Sequence, residues 1–140
     1  MHQETILYPL LAMALLTGWV GVRMLQLRFR AVRRDGLSPA YFELNRGARP
    51  PEYLLRIEQH YQNLLESPLL FYVGLVLIYV TGQADAIALA LGWLYVAARL
   101  AHLVVHVGAM GLTWRRRTFL TSIVLLYALW VRLFVQLAAS

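Results

Sequence analysis

The sequence contains no cysteine and no lysine, and only 14% of its 140 residues are charged. Without cysteine the chain cannot form disulfides, thiolate nucleophiles, iron–sulfur clusters or thiolate metal sites. Thiol or redox chemistry would therefore have to come from a bound molecule. The chain is instead rich in apolar residues, which make up 60% of it, and its mean hydropathy is +0.58. A soluble domain of this length cannot bury so large an apolar fraction, which predicts a polytopic membrane protein.

The net charge of +6 comes from thirteen arginines, whose positions do not favour nucleic-acid binding. Ten of them fall within residues 28–56 and 115–117, between apolar segments. Nucleic-acid binding requires a basic face on a folded domain, whereas arginines between hydrophobic segments act as topology signals. We therefore expect no nucleic-acid partner.

Four apolar stretches are long enough to cross a bilayer, for which roughly 20 residues are needed. They cover about residues 6–27, 64–81, 84–107 and 119–139, and they predict an all-α, four-helix membrane bundle in a single domain over residues 1–140. The connection between the second and third spans is so short that they must form an antiparallel hairpin. Gly82 suits the end of the second helix and Asp85 the first turn of the third. Helix is expected from Glu52 onward, with a kink at Pro68.

The distribution of arginines also predicts the orientation of the chain. The loops at about residues 28–56 and 108–118 contain ten arginines, whereas both termini and the middle connection contain none. By the positive-inside rule, both loops are cytoplasmic and both termini lie on the other side of the membrane. We expect an integral membrane protein with this orientation.

Polar residues inside the spans indicate a functional site, because ionisable groups are costly in a membrane. At a helical rotation of about 100° per residue, five polar side chains of the second helix lie within a stripe about 120° wide. On the third helix, a narrower stripe contains four more. The two stripes consist of Arg56, Gln59, Gln62, Asn63 and Glu66, and of Tyr95, Arg99, His102 and His106.

Counting residues from the hairpin places Glu66 at the depth of the polar stripe on the third helix. Counting along the first helix places Arg23 at a similar depth. We expect Glu66 to be ionised because Arg99 or Arg23 lies within salt-bridge distance. The convergence of at least five polar groups favours a polar ligand over a network that only fixes helix register. Arg132, outside this layer, is expected to snorkel or to form a local pair.

A haem or metal site is less well supported. His60 lies about 60–80° from the centre of the polar stripe on the second helix, which argues against a bis-histidine haem shared with His106. No metal site is expected elsewhere.

The sequence HYQNLLESPLLFY, with Asn63, Glu66 and Pro68, resembles the signature of the MAPEG family (membrane-associated proteins in eicosanoid and glutathione metabolism). The third helix supports the resemblance with YVAARLAHLVVH, and WRRR and LWVR follow. The resemblance covers nearly the whole chain. The sequence is most similar to bacterial members, which implies an integral protein of a bacterial inner membrane. The resemblance implies a homotrimer that binds glutathione between neighbouring protomers in the cytoplasmic half of the membrane.

The resemblance also implies roles for individual residues. Asn63 and Glu66 match glutathione ligands, with Glu66 binding the γ-glutamyl ammonium. Arg28 and Arg115 match the arginines, at the cytoplasmic ends of the first and last helices, that are proposed to stabilise the glutathione thiolate.

Two positions depart from the family pattern. Gln59 stands where the family has a glutathione-binding arginine, and His106 stands where it usually has a tyrosine. Arg56, one turn from Gln59, offers a positive charge on the same stripe. Arg99 and His102 match an Arg-x-x-His found in one eukaryotic branch of the family.

These features predict a glutathione-dependent transferase or peroxidase that acts on lipophilic electrophiles through an arginine-stabilised thiolate. Glutathione is the expected cosubstrate, and the expected partners are a lipophilic small molecule or lipid, the bilayer and further copies of the chain. An alternative is a non-catalytic membrane subunit or lipid-binding protein that keeps the fold. A small transporter or proton path is a third possibility, which the lack of inverted repeats and paired broken helices disfavours.

Overall fold

A computed structural model describes residues 2–44, 46–47 and 49–139 of the chain. The described residues are 84% helical and contain no strand. Four helical segments are long and apolar enough to cross a membrane, namely Gln3–Asp35, Glu52–Val80, Ala86–Val107 and Leu112–Ala139. The predicted all-α fold with four membrane spans is therefore confirmed.

The elements follow one another in a simple order. A 3₁₀ turn at Gln3–Ile6 leads into α1 (Leu7–Asp35), and the following loop contains the short helix α2 (Tyr41–Leu44). The second span consists of α3 (Glu52–Glu66) and α4 (Leu69–Val80). It is followed by α5 (Ala86–Val107) and α6 (Leu112–Ala139).

The first and last helices extend beyond the apolar stretches that predict them. α1 continues through its arginines to Asp35, where Gly36 adopts a left-handed conformation at φ 69° and ends the helix. α6 begins at Leu112 and therefore includes the three consecutive arginines. Arginine is a good helix former, so a helix can continue where the chain leaves the hydrocarbon region.

Pro68 divides the second span, as predicted. Proline has no backbone N–H and cannot continue the α3 hydrogen-bond ladder. The N–H of Ser67 still donates to the Asn63 carbonyl at 3.1 Å, and the N–H of Tyr72 donates to the Pro68 carbonyl at 3.0 Å. The interruption therefore separates a polar α3 from an apolar α4.

The hairpin between α4 and α5 is held by the side chain of Asp85, which caps α5. Gly82 supplies the positive φ of 71° that the turn requires. The Asp85 carboxylate accepts from the Ala88 N–H at 2.7 Å and from Arg132 Nε at 3.0 Å. Burial alone would raise the pKa of Asp85, but the Ala88 N–H and the Arg132 guanidinium together lower it. The local pair expected for Arg132 is therefore confirmed.

The packing of the helices buries the polar stripe of α5, whereas most of the polar stripe of α3 stays at the surface. α5 packs along α6, and α1 packs against both α3 and α5. A Cβ atom added at Gly92 of α5 would lie 3.1 Å from Cγ of Pro9 in α1, so glycine is needed for this approach. Large apolar side chains on the outer surface, such as Leu15 and Phe134, are left to face lipid.

Candidate functional site

Four polar side chains of α3 and α5 are buried at one level between the helices. His60 and Arg99 are fully buried, and His102 and His106 are only 3% and 2% exposed. We call these four residues the buried polar layer. Polar groups are rarely buried in such density unless they have a specific role.

Arg99 connects this layer to α3. Its Nη2 donates a hydrogen bond to the Asn63 backbone carbonyl at 3.2 Å, and its guanidinium lies 6.0 Å from the ring centroid of Phe119. Its Nε and Nη1 atoms have no hydrogen-bond partner among the described residues.

The predicted ion pair between Glu66 and Arg99 or Arg23 is wrong. Glu66 lies on the exposed face of α3, where its carboxylate accepts from Gln62 Nε2 at 2.9 Å. The ion pairs among the described residues are Arg28–Glu58, Arg56–Glu52 and Arg132–Asp85. Equal depth along two helices does not ensure that two side chains point toward each other.

Arg23 on α1 likewise points away from the side chains that it was expected to meet. It is exposed and donates to Gln26 Oε1 at 2.6 Å, in a groove lined by further arginines of α1. α1 buries Val20 and Met24 instead, and Arg23 is rotated away from this face, by about 60° from Val20 and about 100° from Met24. Arg23 therefore does not join the buried polar layer of its own chain.

The three histidines of the layer form a compact triad. The ring centroids lie 5.5 Å apart for His60 and His102, 5.4 Å for His60 and His106, and 5.6 Å for His102 and His106. His60 was expected to lie outside the polar layer, but it points into the centre. It shares the buried face of α3 with Ile57 and Leu64, and this face packs against α5. A histidine on an apolar face opposite a histidine-bearing helix is the signal that could have found it.

A cleft of about 270 Å³ opens beside the layer and is lined almost entirely by polar side chains. We call it the polar cleft. Its lining residues are Gln59, Gln62, Asn63, Glu66, His106 and Arg115. Gln62 was in the predicted stripe but not among the predicted site residues. An adjoining space of about 220 Å³ shares three of these residues and adds His102 and Arg116, of which Arg116 was not predicted either.

Arg115 is held in the polar cleft by His106. Its Nη2 lies 2.6 Å from His106 Nε2, so a guanidinium from the first turns of α6 contacts a buried imidazole of α5. One turn further along α6, Thr118 Oγ1 lies 2.9 Å from His102 Nδ1. The contact between α5 and α6 thus orients two of the three histidines.

The other two predicted arginines lie outside the polar cleft. Arg56 pairs with Glu52 of its own helix at 2.8 Å. Arg28 pairs with Glu58 at 2.8 Å, and its guanidinium lies 5.1 Å from the ring centroid of Phe42. Arg28 and Arg115 therefore do not meet within one chain.

Arg28 does line two further grooves. One, of about 490 Å³, includes Gln59 and Gln62 and so borders the polar cleft. The other, of about 410 Å³, is mainly apolar and includes Phe29 and Phe42. Gln59 and Gln62 thus line both the polar cleft and the larger groove, and Arg28 lines both the larger groove and the apolar groove on α1.

Comparison with known proteins identifies the family. No curated protein matches the sequence, and no solved structure does. The family model described as MAPEG family matches residues 6–135 of the 140-residue chain. The four spans agree with the helical membrane bundle of that family. The chain therefore belongs to the MAPEG family and is an integral membrane protein of the family of eicosanoid and glutathione metabolism.

Proposed function

We propose that the protein is a membrane-embedded, glutathione-dependent transferase or peroxidase that acts on lipophilic electrophiles. Glutathione is the cosubstrate and occupies the polar cleft. Family membership supports a role in glutathione or eicosanoid metabolism, and the make-up of the cleft supports the more specific proposal.

The observation that carries the proposal is the presence of one carboxylate and one arginine among the residues that line the polar cleft. Glutathione carries an ammonium, two carboxylates and a thiol. Glu66 on α3 offers a partner for the ammonium, and Arg115 on α6 offers a cation for the sulfur or a carboxylate. Gln59, Gln62 and Asn63 supply amide donors and acceptors between them.

The chemistry requires the thiolate, which is the nucleophilic form of sulfur. A free thiol has a pKa near 8.5, and an arginine beside the sulfur stabilises the anion once the proton has passed to water. The sulfur lone pair then forms a bond to an electrophilic carbon as the leaving group departs with its electrons. With a hydroperoxide, the O–O bond breaks instead, and a second glutathione completes the reduction to alcohol, water and glutathione disulfide.

The connected grooves support a lipophilic second substrate. The apolar groove beside Arg28 lies on the outer surface of α1, where a hydrophobic molecule can enter from the bilayer. Gln59 and Gln62 line both the polar cleft and the groove that borders Arg28. A lipophilic electrophile bound along α1 would thus approach glutathione without passing through water.

A homotrimer, which the resemblance implies, also fits the exposed polar face of α3. Gln62 and Glu66 are exposed on the outside of a membrane-spanning segment. A carboxylate facing lipid is costly, so a neighbouring protomer that covers this face would lower the free energy. Native mass spectrometry from mild detergent should therefore give a trimer, and a monomer would contradict the assembly.

The non-catalytic alternative is favoured by two positions. Gln59 lines the polar cleft without supplying charge, so it cannot replace a bidentate arginine. Arg56, which could have compensated, is engaged by Glu52. If glutathione does not bind, a structural subunit or lipid-binding protein is the function that these two residues support.

Glutathione-dependent turnover of a chloronitrobenzene and of a lipid hydroperoxide tests the proposal. Arg115→Gln should lower kcat at least about tenfold, since a charge-assisted contact contributes roughly 1.5–3 kcal/mol. Arg117→Gln is the matched control, because this exposed neighbour lies over Trp114 and does not line the polar cleft. Equal activity of both variants, or no glutathione-dependent turnover by the wild type, would contradict the proposal.

A further inference from the structure

We propose that His60 is a positioning residue that acts through His106 on Arg115. His60 completes a directional hydrogen-bond chain across the buried polar layer, and the chain fixes His106 in the one tautomer that can hold Arg115. The role of Arg115 toward the glutathione thiolate rests on the proposed function above. The proposed series of hydrogen bonds rests only on the positions of the histidines, Thr118 and Arg115 in the protein.

The contact with Arg115 shows which tautomer of His106 is present. A guanidinium has five N–H donors and no acceptor. At 2.6 Å from Arg115 Nη2, the Nε2 atom of His106 must therefore be the acceptor and carry no proton. The single proton of the neutral ring is then on Nδ1, which is buried and has no hydrogen-bond partner among the described residues. His106 thus presents a buried, unused donor to the triad.

His102 presents the complementary atom. Thr118 Oγ1 lies 3.0 and 3.2 Å from the backbone carbonyl oxygens of Trp114 and Arg115, and we assign its one hydroxyl proton to these acceptors. The Thr118 oxygen must then accept from His102 Nδ1, which lies 2.9 Å away and carries the proton. His102 Nε2 is left as a buried acceptor without a partner in the described part of the chain.

His60 lies as close to the ring with the unused donor and to the ring with the unused acceptor as those two rings lie to each other. A direct bond from His106 Nδ1 to His102 Nε2 would leave both nitrogens of His60 unpaired. A neutral imidazole has one donor and one acceptor nitrogen, and both ring nitrogens of His60 are buried without a partner among the residues described. Accepting from His106 Nδ1 and donating to His102 Nε2 would satisfy all four atoms. Buried polar atoms are rarely left unpaired, so this arrangement is strongly favoured over four orphaned groups.

The spacing of the rings fits such a chain. Two imidazoles joined edge to edge by an N–H···N bond of about 2.9–3.0 Å have centroids a little more than about 5 Å apart. The observed separations from His60 are 5.4 Å to His106 and 5.5 Å to His102. These separations are compatible with both bonds once the rings rotate about their side-chain torsions.

The charged groups nearest the triad lie on α3, α5 and α6. They are Arg56 on α3, Arg99 on α5, and Arg115 and Arg116 on α6, whereas Glu66 lies on the exposed face of α3. A chain of neutral rings adds no further charge to this region. It does, however, prevent His106 from taking the opposite tautomer, in which an Nε2–H group would face the N–H donors of Arg115.

Proton-detected ¹⁵N spectra of the imidazoles test the chain in the protein without glutathione. We expect neutral His106 and His102, each protonated at Nδ1, in the wild type. His60→Leu should give His106 a mixture of tautomers, whereas His60→Gln, which keeps one donor and one acceptor, should restore the wild-type spectrum. A wild-type His106 protonated at Nε2, or a tautomer unaffected by His60→Leu, would overturn the proposal even if the protein proves to be a transferase.

A second readout follows the thiolate of bound glutathione by its ultraviolet absorbance as a function of pH. His60→Leu should move the midpoint of thiolate formation up by about one pH unit, a tenfold loss of thiolate below the midpoint. Calorimetry should show glutathione affinity within about threefold of the wild type, and His60→Gln should restore the midpoint. An unchanged midpoint in a folded His60→Leu variant that still binds glutathione would refute the positioning role and leave the proposed function standing. A wild type that binds no glutathione would instead remove the proposed function, and the ¹⁵N spectra would still decide the hydrogen-bond chain.

Discussion

Arg99 Nη2 donates a hydrogen bond to the backbone carbonyl of Asn63 at 3.2 Å, and no carboxylate among the described residues neutralises this buried arginine. The bond joins α5 to the last turn of α3 at Asn63, whose side chain lines the polar cleft. From the interior of the bundle, the guanidinium thus holds the backbone of α3 at a residue that lines the cleft. It does not form the expected ion pair with Glu66.

Substitutions of Arg99 should separate the effect of its volume from that of its charge. Arg99→Ala leaves a cavity, and we expect it to lower the free energy of unfolding by about 2–5 kcal/mol. Arg99→Met fills the same space without a buried charge and should stay close to the wild type. Because Arg99 and Glu66 are not paired, the effects of Arg99→Met and Glu66→Gln on thermal unfolding in detergent should add. A coupling energy above about 1 kcal/mol would show that Arg99 and Glu66 do form an ion pair.

The Asp85–Arg132 pair should make stability depend on pH in the acid range. The pKa of Asp85 is lowered from its ordinary value of 3.8 by the Ala88 N–H and by Arg132, against the opposing effect of burial. Its contribution is therefore fully present above about pH 3.8 and is lost as pH falls through the lower folded-state value. Asp85→Asn keeps an oxygen for the cap but removes the charge.

Thermal unfolding of the wild type and of Asp85→Asn across this range measures the effect. The stability gap between them should be constant near neutral pH and should close below about pH 4. The exposed Glu43→Gln variant is the control and should show no such gap. A gap for Asp85→Asn that does not change with pH would contradict this account of the hairpin.

Two glycines should respond differently to alanine. At Gly92 the new Cβ would lie 3.1 Å from the rigid ring of Pro9, which cannot move aside easily. Overpacking of this kind costs about 1–3 kcal/mol, so Gly92→Ala should lower the unfolding temperature. Gly18→Ala meets nothing within 4 Å and should leave it unchanged or raise it. Equal effects at both positions would argue against the close approach of α1 and α5.

Much of the fold could be predicted from hydropathy, because membrane spans are set by length and apolar composition. The interruption at Pro68 and the cap at Asp85 follow from local chemistry and were also predictable. The direction in which a polar side chain points was not. Arg23 was expected in the polar layer but is exposed, and His60 was expected outside it but is buried at its centre. The reason is that the rotation of a helix about its axis depends on which face packs against a neighbour. That information belongs to the assembled bundle and not to the depth of a residue along one helix.

The orientation of the chain remains a prediction that single cysteines can test, since the sequence contains none of its own. Cysteine at position 38 should be labelled from the cytoplasmic side. Cysteine at Ser140, which lies outside the described residues, should be labelled from the opposite side. The expectation rests on the ten arginines of the two loops. Labelling of both positions by an impermeant reagent from one side would show that the positive-inside argument fails here.

Calorimetric titration of glutathione into the detergent-solubilised protein tests the central claim most directly. We predict saturable binding to the wild type, about tenfold weaker binding to Arg115→Gln, and little change for the exposed control Arg117→Gln. Arg56→Gln should fall between these two variants, because Arg56 carries charge near the polar cleft but is engaged by Glu52. Absence of binding to the wild type at millimolar glutathione would contradict the transferase and peroxidase proposal.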